Sequence, residues 1–255
     1  MAILKKFRIL KFKSKPTLVL KNVSKSFGKR NVLDKISFEL NQSEIFGVLG
    51  PNGSGKTTIF NSIMGIIRAD YGEIYINNIN INDLPIHERA TKFKIGYIPQ
   101  NSSVFLGLNC KENITAIAEI IIKNDNQRKQ RVLDLLAEFN LDHLQSIKAK
   151  HLSGGERKRL CVAMALVSEP KLLLMDEPFA ALDLLTIEMI KKIILLLQKK
   201  NISIIITDHN AKDLLNISDR CIVISNGKKI ITGNPREIIS DTNAKKLYFG
   251  ENFKY

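Results

Sequence analysis

Unbroken apolar runs, not alternating ones, mark the centre of this chain. Ile45–Leu49, Leu172–Met175 and Ile202–Ile206 carry apolar side chains at nearly every position. Strands covered on both faces read this way, so the runs predict a parallel sheet flanked by helices. Thr17–Leu20, Ile36–Leu40 and Glu73–Ile76 are short strand patterns separated by turn residues, and they predict a small antiparallel sheet near the N-terminus. Asn77–Asn82 is turn-rich, and Ile95–Pro99 reads as one more short strand. Helical spacing is found at 111–124 and 128–140, the latter with Val132, Leu135, Leu136 and Phe139 on one face. Further helices are expected at Thr58–Gly65, Gly154–Ser168, Leu184–Lys200 and from Ala211. Cys221–Thr232 forms a hairpin pattern around Asn226-Gly227, with helical turns after it. The expected fold class is α/β, with a mixed or parallel sheet core, an N-terminal antiparallel sheet and a helical insertion within 101–169. One domain spans 17–255 behind an extension, 1–16; the sequence shows no internal repeat.

Between the first central strand and the first helix stands Gly50-Pro51-Asn52-Gly53-Ser54-Gly55-Lys56-Thr57, followed by Thr58. This is G-x-x-x-x-G-K-[ST] in the strand–loop–helix setting that a phosphate-binding loop requires. The glycines let the backbone curl with its N–H groups inward, and the helix N-terminus adds partial positive charge. Lys56 would reach the β- and γ-phosphates of a nucleotide, and the Thr57 hydroxyl would ligate Mg²⁺.

A second buried strand ends in Asp176-Glu177. Side chains alternate on a strand, so the two carboxylates face different ways: Asp176 can hold the magnesium shell while Glu177 polarises an attacking water. Gln100 and His209 each follow a strand of the same sheet, and open α/β sheets bind ligands at that edge. Leu152-Ser153-Gly154-Gly155-Glu156 opens a helix with a second anion-binding arrangement, which is also a capping box with Ser153 as N-cap. One chain with one ATP rarely needs two cradles, so the second is expected to serve a nucleotide held by another copy.

Charge and composition add limits. The net charge is +14, but residues 1–35 hold eleven basic side chains against Asp34 alone, so most of the excess is local. That pattern argues against a nucleic-acid surface and for a solvated basic extension, the alternative being an arm on an anionic membrane. No run of eighteen apolar residues exists: Ile114–Ile122 is the longest candidate and contains Glu119, so no membrane span is expected. Cys110, Cys161 and Cys221 are far apart and are expected to act as small apolar residues in a reducing compartment.

Gly50–Thr57, Gln100, Leu152–Glu156, Leu172–Glu177, Ala181-Leu182-Asp183 and His209, in that order, resemble the motif set of the ATP-binding cassette (ABC) ATPases, a P-loop NTPase family. The resemblance covers residues 17–250. It implies a head-to-tail homodimer in which each ATP, with Mg²⁺, lies between one copy's phosphate loop and the other's Ser153, Gly154 and Gly155. It further implies Asp183 signalling across the dimer, His209 at the γ-phosphate, Lys56, Glu177 and Gln100 in catalysis, and Gln100 and Asp176 at the metal. Phe27 stands where the family has an adenine-stacking tyrosine, a core phenylalanine being the alternative. A single cassette suits a subunit docking on two separate transmembrane permeases with an accessory membrane-anchored subunit, peripheral on the cytoplasmic face of the inner membrane. Within the family, Ile45–Leu49, Pro99–Phe105, Ile206–Asn210 and Leu247–Phe253 resemble the ATPases of lipopolysaccharide export. Importers of branched-chain amino acids, and soluble members acting on ribosomes or DNA, are the alternatives. Phe105 matches an aromatic expected in the permease groove, whereas Leu106 and Gly107 stand where basic residues are usual.

Overall fold

The computed structural model describes residues 16–101 and 103–250; the basic extension and the chain beyond Gly250 lie outside the described residues. In chain order the first elements are β1 (Leu18–Phe27), β2 (Arg30–Leu40), β3 (Ile45–Leu49) and α1 (Lys56–Met64). They are followed by β4 (Tyr71–Ile76), β5 (Ile79–Asn80), α2 (Ile86–Lys92) and β6 (Ile95–Ile98). The insertion contributes α3 (Cys110–Ile121), α4 (Asp125–Glu138) and α5 (Gly154–Ala165). Then come β7 (Leu172–Asp176), α6 (Leu184–Lys199), β8 (Ser203–Thr207) and α7 (Ala211–Ile217). The hairpin is β9 (Arg220–Ser225) and β10 (Lys228–Gly233), with α8 (Pro235–Ser240), a short turn and a π-helical turn, Lys245–Phe249, closing the described chain.

The strands form two sheets, one antiparallel in the order β2-β1-β4-β5 and one in the order β10-β9-β3-β8-β7-β6, parallel except for β10. The central strands are unbroken apolar runs because each feeds two cores. Ile45, Leu49, Leu173, Met175, Ile204 and Ile206 pack towards the helical side. Phe46, Val48, Leu172, Leu174 and Ile205 pack towards the antiparallel sheet and α1. All three cysteines are buried and free.

Several boundaries differ from the sequence reading. The first two strands are ten and eleven residues long, well beyond Thr17–Leu20 and Ile36–Leu40. Register shifts after Leu20, Val23 and Lys25 break the two-residue alternation that would have revealed them. The two insertion helices start earlier than 111 and 128, because Asn109 and Asn124 cap them, accepting from the amides of Glu112 and Gln127. Helix α5 stops at Ala165 instead of continuing to Ser168.

Helix α2 has no apolar signature because its buried residue is charged. Arg89 donates from Nη1 to the carbonyls of Ser62 and Ile63 at 2.7 and 2.8 Å, and from Nε and Nη2 to Leu84 and Asn82 at 2.8 and 2.9 Å. The first two are last-turn carbonyls of α1, of which Ser62's otherwise accepts only from the Gly65 amide at 3.3 Å, and the cation opposes the negative end of that helix. Gly65 caps the same end with φ 78°, and a Cβ there would lie 2.7 Å from Arg89 Nε. Arg89→Met therefore strands several buried carbonyls, and the expected loss is about 3 kcal/mol or more in chemical denaturation. A loss below about 1 kcal/mol would show that water replaces the guanidinium.

Candidate functional site

Four neighbouring strands deliver the site to one edge of the parallel sheet. The Gly50–Thr57 loop leaves β3, His209 follows β8, Glu177 follows β7 and Gln100 follows β6. The loop's close packing explains its glycines. A Cβ on Gly50 would collide with the Ile224 carbonyl, and one on Gly55 would sit 2.6 Å from Leu33 Cδ2 and 2.8 Å from the Val32 carbonyl. Gly50, Gly53 and Gly55 all have positive φ, at 154°, 74° and 106°.

Lys56 opens α1 and is only 6% exposed. Its Nζ donates to the loop carbonyls of Gly50 and Pro51 at 2.8 and 3.1 Å. Burial lowers its pKa, opposed by the charges of Glu177, Asp176 and Asp208. Ser54 Oγ is buried without a hydrogen-bond partner among the described residues. A cation, an unpaired hydroxyl and a helix N-terminus thus meet in one loop, which suits a polyanionic ligand.

The loop borders a cavity of about 410 Å³ lined by Phe27, Arg30, Val32, Asn52, Gly53, Gly55, Lys56, Thr57, Thr58, Gln100, Glu177 and His209. Phe27 is 48% exposed at its rim, so it is not a core residue. Glu177 is held at both oxygens, by Gln100 Nε2 at 2.6 Å and by His209 Nε2 at 2.6 Å. Its backbone has φ 51°, a costly conformation for a side chain other than glycine, and its amide donates to the Thr207 carbonyl at 2.9 Å.

Asp176 is buried and does not line the cavity; it accepts from Thr207 Oγ1 at 2.5 Å and from the Tyr97 hydroxyl. Burial, with Asp176 beside it, pushes Tyr97 up to about 12. Among the described residues no group of three or more His, Cys, Asp or Glu could hold a metal. A cation here would rely on Thr57, Gln100 and oxygens brought by the ligand itself.

Ser153, Gly154, Gly155 and Asp183 are not brought to this cavity. Ser153 caps α5 in a reciprocal box with Glu156, and Asp183 caps α6, accepting from Thr186 N and Oγ1 at 2.9 and 2.6 Å. A Cβ on Gly155 would lie 2.7 Å from Thr186 Cγ2, so the two helix starts are packed together. Ser153, Gly154, Ala180 and Ala181 are exposed there, with Leu184 and Leu185 at 79% and 84%.

Residues not anticipated from the sequence complete the arrangement. Asp208 is buried, which pushes its pKa up, and accepts from the amides of Phe179 and Asn210 at 2.8 and 2.9 Å. It ties the segment after Glu177 to the segment bearing His209. Arg30 faces Phe27 across the β1–β2 hairpin and lines the cavity. Tyr248, from the closing turn, is hydrogen-bonded to the Gly50 backbone, and burial pushes it up to about 12. The Asp208–Phe179 and Tyr248–Gly50 contacts join segments far apart in sequence; the position of Asp208 just before His209 was the one available signal.

The described residues contain no helix long and apolar enough to cross a membrane. The family profile of ABC transporters matches residues 33–180. The lipopolysaccharide export system ATP-binding protein LptB of Haemophilus influenzae is 41% identical over 240 residues, covering 93% of this chain and 98% of that protein. LptB of Escherichia coli is 41% identical over 241 residues, covering 93% and 99%. Among solved structures, a nucleotide-free ATP-binding cassette from an ABC transporter matches with TM-score 0.85 and 29% identity, over 93% of this chain and 100% of that one. The ADP conformation of a cassette of an ABC transporter matches with TM-score 0.83 and 29% identity, again over 93% and 100%. With its phosphate loop, strand-end glutamate and capped signature helix set on this fold, the chain belongs to the ABC transporter family as an ATP-binding, ATP-hydrolysing subunit.

Proposed function

We propose that this subunit drives extraction of lipopolysaccharide from the inner membrane for export to the outer membrane. The near full-length likeness to the LptB proteins carries the reading. The chain would sit on the cytoplasmic face of the inner membrane, against two LptF/LptG-like permeases with an accessory membrane-anchored subunit. A groove of about 980 Å³ supports docking: His87, Ala90 and Thr91 of α2 face Ile120, Ile121 and Ile122 at the end of α3. Phe105 is half exposed but does not line that groove, so its contact with a permease would be a separate ledge.

In this reading two copies pair head to tail. Gly50–Thr57 and Thr58 of one copy cradle the phosphates, and Ser153, Gly154 and Gly155 of the other close over them. The exposure of Ser153 and Gly154, with two bare leucines nearby, supports such a covered face. Asp183 would carry signals between the copies, and Phe27 would stack on the base. Magnesium, held by Thr57 and Gln100 with Asp176 behind them, would neutralise charge on the phosphate oxygens. Glu177 accepts a hydrogen bond from the attacking water, and His209 contacts the terminal phosphate. Gln100 and His209 each take one acceptor position on Glu177, and the second lone pair of each carboxylate oxygen remains for a water.

Glu177→Gln is expected to keep ATP affinity within a few-fold, lower turnover by about 10²- to 10⁴-fold, and elute as a nucleotide-trapped dimer on size exclusion. Turnover near that of the unaltered protein would remove Glu177 from the water-activating role.

A mixture of Lys56→Ala and Ser153→Arg chains leaves one composite site with both halves intact. ATP trapping at about half the full stoichiometry is the expected result, whereas either variant alone traps none. Full-rate hydrolysis by a strictly monomeric form would be incompatible with the shared site.

Depletion in cells is expected to leave lipopolysaccharide at the inner membrane while branched-chain amino-acid uptake continues. Collapse of uptake with normal surface lipopolysaccharide would replace the export reading with an importer.

A further inference from the structure

The end of β1 that presents Phe27 to the cavity is fastened from behind. Lys25 Nζ donates to Asp70 Oδ1 at 2.6 Å and lies over the Phe27 ring, 5.5 Å from its centroid. The other Asp70 oxygen accepts from the Ser26 amide at 2.7 Å, and the Asp70 amide donates to the Ser24 carbonyl at 2.9 Å. Asp70, just before β4, thus holds three consecutive residues immediately before the ring. The strand ladder cannot do this alone, since the β1–β2 register slips between Val23 and Lys25 and again between Lys25 and Ser26. Phe27 lines the cavity and Lys25 does not, so the ammonium takes ring surface outside the cavity wall.

We propose that Lys25 and Asp70 are positioning residues for the nucleotide base, Asp70 pinning Lys25 and Lys25 holding the Phe27 ring at the rim where the base stacks. The inference rests on the reading of Phe27 as the stacking residue. Two physical effects follow. A cation over one part of the ring draws π density towards itself and lessens the repulsion that a stacked base meets. A ring already held in place also loses less freedom when the base arrives. Neither residue lines the phosphate end of the cavity, so the effect falls on the base alone.

The test uses the full chain with Asp70→Asn and Lys25→Met, and compares calorimetric binding of ADP with that of inorganic tripolyphosphate, which has no base. Both variants should weaken ADP binding about three- to tenfold, the range expected for a damaged aromatic stack. Tripolyphosphate affinity should stay within about twofold, KM for ATP should rise by the ADP factor, and kcat should hold. Lys25→Arg, which keeps the cation, should restore ADP binding. Phe27→Ala sets the ceiling, and adding Asp70→Asn to it should cause no further loss. Unchanged ADP binding in both variants, or equal losses for ADP and tripolyphosphate, would overturn the proposal. Should Phe27→Ala itself leave ADP binding intact, the stacking reading fails; should it weaken binding while Asp70→Asn and Lys25→Met do not, the clamp alone fails.

Discussion

A buried ammonium sets the terms for this site. Lys56 is held away from water against the field of three carboxylates, Asp176, Glu177 and Asp208. Charges removed from water are tolerated only when opposite charge and hydrogen bonds surround them. The three acids come from the ends of β8, which adjoins β3, and of β7, the next strand out on the same side of the sheet. A parallel sheet is what makes this possible, because all of its strands end at the same edge. The glycine curl of the phosphate loop follows from the same demand, since it lets Lys56 fold back onto the carbonyls of Gly50 and Pro51.

That dependence extends outward through shared acceptors. Thr207 serves two neighbours, donating its hydroxyl to Asp176 and accepting the Glu177 amide at its carbonyl. Asp208 joins the chain after Glu177 to the chain bearing His209. The left-handed backbone at Glu177 persists because these contacts surround it on both sides. Glu177 and the residues that touch it therefore behave as one connected unit.

The sequence made the chemistry legible wherever it was packed into a short stretch. Gly50–Thr57, Asp176-Glu177 and Leu152–Glu156 each announce themselves within a few residues of a strand end or helix start. The unbroken runs at β3, β7 and β8 likewise disclosed a sheet covered on both faces. Features that depend on distant partners stayed hidden: α2 buries a charge in place of an apolar stripe, and β1 and β2 lose their alternation at bulges. The contacts of Tyr97 and Tyr248 join segments that only the fold brings together.

The burial of all three cysteines has a practical side. Desolvation raises Cys110, Cys161 and Cys221, the last to about 12, so few thiolates form at neutral pH. Thiol reagents act on the thiolate, and these three are shielded as well as protonated. A single cysteine introduced on the exposed face around Leu184 would then be the dominant reactive thiol among the described residues. The native fold thus supplies a quiet background for attaching a fluorophore or spin label to test whether a second copy approaches this face.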